Sequence, residues 1–276
     1  MNFINEMPFL PLCLNRLKNP PKRLYFRGNL ELLNRPKVAI VGSRKCSKYT
    51  QNLILNLANM LAKKGVCVVS GGAIGADIFA HMGSMPCTIG VFANSLDMIY
   101  PAQNEAVINE IYTKGLALSE HESTHTPFRH DFLERNRIVV GLSDAVIIAQ
   151  ADIKSGSMSS ANHAIAMNIP VFGFPQRKGE SDGTNLLISS GKMKLLDDFE
   201  KFVNSFEFSE FSKNSENSNP ENSDPAGREQ NSNDEILNFL AKNSDFNKSF
   251  AKFGDKLFEY EIDGKIIIDG AFVRLL

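Results

Sequence analysis

The sequence predicts an α/β fold with a doubly wound, mostly parallel sheet, and three observations carry that reading. Short apolar runs alternate with segments of helical periodicity through most of the chain, the pattern of strands buried on both faces and joined by crossover helices. Turns rich in Gly and Ser follow several of the apolar runs. At 276 residues and 43% hydrophobic content, the chain can bury one large core and a small second one.

Residues 1–35 are punctuated by proline and form an entry segment. Lys37–Val41 (KVAIV) is the first buried strand, ended by Gly42-Ser43-Arg44. Leu53, Ile54, Leu57, Met60 and Leu61 then repeat at helical spacing, and Gly65 stops that helix. Val66–Ser70 is a strand, Gly71–Gly75 a turn and Ala76–Gly83 a helix. Thr88–Ala93 is the next strand, followed by a loop through Pro101, a helix over 103–114 and a short strand, Leu116–Ser119. A helix over 132–142, the strand Ala145–Ala149, the helix Ser157–Met167 and the strand Val171–Phe174 complete a main domain over 36–205.

Residues 206–233 are dominated by Asn, Ser, Glu and Pro and read as a flexible acidic linker. In 234–276, Ile236, Leu237, Phe239 and Leu240 mark one amphipathic helix and Leu257, Phe258 and Tyr260 another. Lys265–Asp269 and Ala271–Leu276, joined at Gly270, read as a two-stranded wing. Helices followed by a hairpin in so short a span suggest a winged-helix-like module.

The net charge of −1 hides an uneven distribution, because 207–235 hold eight acids and two bases and the remainder is about +5. A moderately basic body permits a nucleic-acid partner. The module itself has six bases against eight acids, a poor footprint for DNA, so a protein contact is expected there. Cys13, Cys46, Cys67 and Cys87 form no C-x-x-C pair and read as reduced thiols of a cytoplasmic protein. No secretory leader is read at the N-terminus, and no apolar run approaches membrane-spanning length, so no membrane is expected.

Chemistry concentrates between Phe128 and Ala161. Arg129, Arg135, Asn136 and Arg137 cluster at a helix start, with Phe132 among them, and the turn Lys154-Ser155-Gly156-Ser157 follows the strand Ala145–Ala149. Interleaved aromatic and basic groups stack bases and hold phosphates, and a Ser/Gly turn at a helix N-terminus leaves N–H groups for an anion. Ligands of parallel sheets bind beyond the strands' carboxyl ends. The Gly42–Arg44, Gly71–Gly75 and Lys154–Ser160 turns are therefore expected to meet in one crevice. Gly71–Gly75 is not a dinucleotide fingerprint, and Asp77 reads as a helix cap. His121-Glu122-Ser123-Thr124-His125 matches H-E-x-x-H literally, but it follows a strand and meets Pro127, so it is read as a loop rather than a zinc-binding helix.

Five ordered motifs, VAIVGSR, VSGGAIGADIFAH, TIGVFANSLDMIYPAQN, FLERNRIVVGLSDAVIIAQADIKSGSMSSANHA and GTNLLISSG, spanning about 38–191, resemble the DNA-processing protein A (DprA/Smf) family. The resemblance implies an extended Rossmann-like domain that binds single-stranded DNA, forms a homodimer and helps load the RecA recombinase during natural transformation, without catalysis and without a cofactor. It implies that Arg44, with Gly42 and Ser43, lines a basic pocket, that Arg129 and Phe132 hold phosphate and base, and that Arg135–Arg137 and Lys154–Ser157 complete the DNA site. Departures from the family pattern occur at Ser70–Ala73 and at His130-Asp131, where the acid is expected to weaken an anion site. A second class stays open: a nucleotide-processing enzyme like the lysine-decarboxylase-like phosphoribohydrolases, whose P-G-G-x-G-T-x-x-E motif follows its phosphate turn with a catalytic acid. Ser155–His163 offers no such acid.

Overall fold

The computed structural model describes residues 4–206, 235–240, 249, 252–253, 256–257, 260, 265–269 and 272–275, and the chain divides into two compact units, Met1–Phe206 and Glu207–Leu276. Of the expected linker over 206–233, only Phe206 lies within the described residues.

The first unit is built on one nine-stranded sheet. Its strands are β1 (Asn5–Glu6), β2 (Tyr25–Gly28), β3 (Lys37–Val41), β4 (Cys67–Ser70), β5 (Thr88–Phe92), β6 (Leu116–Ser119), β7 (Ala145–Ile148), β8 (Val171–Gly173) and β9 (Lys194–Leu195). They lie in the order β1-β2-β6-β5-β4-β3-β7-β8-β9. Every pairing from β6 across to β9 is parallel, whereas β2 runs antiparallel to both β1 and β6. The proline-rich entry segment therefore extends the sheet. Its strands carry little apolar alternation of their own, and β2 gains its place by pairing with β6, where Tyr25 faces Ser119.

The helices are α1 (Lys48–Lys63), α2 (Ala76–Ser84), α3 (Glu105–Lys114), α4 (Arg129–Gly141), α5 (Gly156–Ala166), α6 (Asp182–Ser189) and α7 (Phe199–Asn204). Ser47 opens α1 by accepting from the Thr50 amide. Gly65 closes it at φ 81, its N–H reaching Ala62 O while Val66 N reaches Leu61 O. That is the glycine-dependent stop the sequence predicts. α4 begins three residues before the expected Phe132, because the Asp131 carboxylate accepts from the Phe128 amide at 2.7 Å and nucleates an extra turn. The pieces β1, β2, β9, α6 and α7 carry too weak a pattern to be read from the sequence.

Both faces of the parallel strands are buried. Ala39, Val41, Cys67, Val69, Ile89, Val91, Val146 and Ile148 share one core with Ile138–Val140 of α4 and Ala161 and Ala164 of α5. The alternate residues Val38, Ile40 and Val68 are also fully buried, and α1 and α2 pack together with α2 against β4. A second cluster joins Phe92, Leu96 and Ala117 to Ile108, Ile111 and Tyr112 of α3.

The second unit contains α8 (Glu235–Leu240) and an antiparallel hairpin of β10 (Ile266–Asp269) and β11 (Phe272–Leu275). Ile236, Leu240, Leu257, Ile266 and Val273 form its core. Among the described residues, no helix is long and apolar enough to cross a membrane.

Candidate nucleic-acid interface

The chain leaves β3 toward β4, β5 and β6 and returns to β7 on β3's other side, which is where a doubly wound sheet offers its crevice. Here that point is closed by packing. The Ser43 amide donates to Gln150 O at 2.8 Å, and Ser43 O accepts from the Ala76 amide at 3.1 Å. A Cβ on Gly42 would stand 2.7 Å from the Ala76 Cβ. Gly42 and Ser43 are therefore fixed inside the turn, the Ser43 hydroxyl also accepting from the Lys45 amide, and only the Arg44 side chain projects to solvent.

The opening lies to one side, over β3, β4 and β5. Its pocket is lined by Arg44, the Gly71–Ile74 turn, Ala93, Asn94, Tyr100, Pro101 and Phe132. The Arg44 guanidinium carbon lies 5.5 Å from the centre of the Phe132 ring, in cation–π range. Tyr100 meets Phe132 with ring centres 5.7 Å apart. Phe132 is half-buried, Tyr100 and Ile74 are exposed, and Arg129 is exposed one turn before Phe132. A basic group beside two accessible aromatic faces can engage a phosphate and a base together.

The floor of this pocket is held by groups that never reach its surface. Arg135 was expected to contact DNA, but it is 5% exposed, and its Nη1 donates to Gly71 O at 2.6 Å and also to Val91 O. A guanidinium so enclosed cannot meet a phosphate, and its part is to position the Gly71–Gly75 turn. A side chain at Gly71 would collide with it. Buried Asp77 faces Arg135 and accepts from the backbone of Gly71 and Ala73, so it organises the turn and does not cap the helix start at Gly75. Burial raises the Asp77 pKa and lowers that of Arg135 to about 10, each charge partly restoring the other. Asn104 adds a third hold, donating to Gly72 O at 2.9 Å. At Gly72 (φ 71) and Gly75 (φ 91) the backbone is left-handed, which glycine alone adopts freely.

The remaining expected residues part ways. Arg137 forms a two-pronged ion pair with Glu120 (2.7 and 2.8 Å) and is largely covered, so its charge is already matched. The half-buried Asn136 accepts from Arg135 Nε at 3.3 Å. Lys154, Ser155, Gly156 and Ser157 do not line the pocket; a Cβ at Gly156 would meet only Leu133, 3.8 Å away, so the turn lies beside α4. Ser155 caps α5 by accepting from the Met158 amide, Ser157 is buried, and Lys154 is exposed. The three turns thus do not share one crevice, since two meet in the pocket and the third stands apart from it. Asp131, expected to weaken an anion site, is turned inward against the Phe128 amide, His125 (2.8 Å) and His130 (3.0 Å). A wider hollow beside α1 and α7 carries Asp197, Asp198 and Glu200 and no base in its lining, so it repels a polyanion.

The loop 120–127 is no helix, as its sequence implies. It nevertheless brings His121, His125 and Asp131 together, with one ligand-type atom from each lying within 4.8 Å of the others.

The family model for DNA recombination-mediator protein A matches residues 3–207, most of the chain. The chain belongs to that family. A DNA processing protein DprA from Streptococcus pneumoniae is 37% identical over 207 residues, covering 72% of this chain and 71% of that protein. Protein Smf from Synechocystis is 35% identical over 198 residues, but they make up only 50% of its length. Among solved structures, DNA processing protein A from Helicobacter pylori, described with a unique single-stranded DNA binding mode, aligns with a TM-score of 0.72 at 46% identity, covering 73% of this chain and 94% of that one. The S. pneumoniae DprA structure aligns with a TM-score of 0.69 at 34% identity, covering 74% of this chain and 75% of that one. Both confirm the α/β, mostly parallel architecture of this family member.

Proposed function

We propose that this family member binds single-stranded DNA through the pocket at the ends of β3, β4 and β5 and passes the strand to a RecA-type recombinase, acting without catalysis, as a cytoplasmic homodimer, during uptake of transforming DNA. One observation carries the DNA reading: the exposed Arg44 sits over Phe132, with Tyr100 on the same ring, above a turn held rigid from beneath. A base stacks on an aromatic face and its phosphate meets the guanidinium, whatever the base identity. From there, Arg129 and Lys154 continue exposed positive charge along the start of α4 and the turn before α5. The pocket lining holds no carboxylate, so nothing favours the nucleotide-hydrolysing alternative.

The test is a titration of the full chain with single- and double-stranded oligonucleotides over a range of salt. Expected is preference for the single strand and an affinity that falls linearly on a logarithmic salt scale, about 0.7 per phosphate engaged. Equal or stronger duplex binding would overturn the reading. The second unit, with its helix and hairpin, is proposed as a winged-helix-like protein-contact module.

A further inference from the structure

We propose that His121, His125 and Asp131 form a divalent-metal site of the zinc type, which ties the loop after β6 to the first turn of α4. The donor atoms lie within 4.8 Å of one another and come from two different segments of the chain. Two imidazoles and a carboxylate, with water in the fourth position, are a donor set suited to Zn²⁺.

The loop is shaped to make this cluster. Thr124 adopts φ 50, a left-handed conformation that disfavours a β-branched residue. It is held there because its amide donates to the Asp97 carboxylate at 2.9 Å. His125 is then fixed on both sides of its backbone, its N–H donating to Ser95 Oγ at 2.9 Å and its carbonyl accepting from the Ser95 amide at 3.3 Å. The fold-back lays the His121 ring on the His125 ring, centres 3.6 Å apart and planes 12° from parallel. The third member is nearly buried and already oriented. Asp131 points Oδ2 at His125 Nε2 (2.8 Å), while Oδ1 meets His130 Nε2 (3.0 Å), the outer contact that typically aims a ligating carboxylate. Metal–ligand bonds of about 2.0–2.2 Å place tetrahedral donors roughly 3.3–3.5 Å apart. The half-exposed His121 ring meets that by swinging off the stack, while His125 Nε2 and Asp131 Oδ2, now 2.8 Å apart, open by about 0.5 Å as the metal replaces the proton between them. The literal H-E-x-x-H spacing serves here through a folded-back loop instead of a helix, and Glu122 is exposed and outside the donor set.

The experiment uses the full, untagged chain, stripped with a chelator and titrated with Zn²⁺ by calorimetry, with Co²⁺ as a spectroscopic substitute. Expected are one equivalent bound, an intense visible Co²⁺ spectrum of tetrahedral type, and a melting temperature raised by Zn²⁺. His121→Asn should weaken uptake at least tenfold without changing the metal-free melting temperature. Asp131→Asn, which keeps an acceptor for the Phe128 amide, should weaken uptake likewise and keeps the test valid if a histidine variant folds poorly. No saturable uptake by the wild-type chain would overturn the site. So would undiminished uptake by both variants, which would place the metal on other donors.

Discussion

At the residue scale, the pocket separates side chains open to solvent from those buried beneath them. Arg44→Ala should leave the melting temperature unchanged, weaken single-strand affinity and reduce its salt slope by about one contact; equilibrium titration at several salt concentrations checks this. Phe132→Ala should cost about 1–3 kcal/mol of binding for lost stacking, with little base preference. A large fall in melting temperature with binding intact per folded molecule would mark Phe132 as merely structural. Arg135→Ala should behave oppositely, costing about 1–3 kcal/mol of stability for each buried carbonyl, Gly71 O and Val91 O, that loses its donor, seen in denaturant midpoints. The placing of Arg44 and Phe132 at one pocket was legible in the sequence because Arg44 stands in the turn just after β3 and Phe132 comes one helical turn after the basic Arg129. Arg135 was misjudged, although the signal was present: it is spaced three, four and seven residues before the buried Ile138, Val139 and Leu142, on the apolar stripe of its helix. His81 titrates by the same logic of burial. Burial, then the Arg135 charge, lowers its pKa from 6.5 to about 3, and its Nδ1 bonds Thr88 Oγ1 at 2.7 Å. The unfolded chain takes up that proton first, so stability is complete above about 6.5 and falls as the pH drops toward 3. His81→Gln should flatten that acid limb by up to about 1.4 kcal/mol per pH unit, measured by denaturant unfolding across pH.

At the element scale, the site depends on two turns locked together. A Cβ at Gly75 would come within 2.5 Å of the carbonyl oxygens of Ser43 and Arg44, on a backbone already at φ 91. Gly75→Ala should therefore cost about 1–3 kcal/mol of stability and displace Arg44, lowering single-strand affinity from a position with no ligand contact. Gly191 is the control: at φ 70, with nothing within 4 Å of a Cβ, its alanine variant carries backbone strain alone and should bind normally. Unfolding and binding curves for the two proteins test both statements. The parallel strands β3 to β8 and the helices α1 to α5 between them were readable because each of those strands is a short, largely buried apolar run. The start of α4 was not, since it rests on Asp131 reaching back to Phe128, and Pro127 reads locally as a break. The third turn failed to join the pocket because strand order places β7 and its following turn on the far side of β3.

For the whole molecule, charge is divided between the units. The pocket and its bases lie within Met1–Phe206, and the second unit is net acidic. A chain ending at Phe206 should retain most of its single-strand affinity, and a loss of about 100-fold, or 2.7 kcal/mol, would assign DNA contact to the second unit. The sheet's order also fixes a schedule. The strands β3 to β6 are consecutive neighbours and can assemble as they are synthesised, but Tyr25 of β2 must wait for Ser119, and Val38 of β3 keeps one open edge until Ala145 arrives. Closing those long loops is the slow part of building such a sheet. Pulsed hydrogen exchange during refolding should protect the amides of β4 and β5 before those of β2, so the first strands made are among the last to lock.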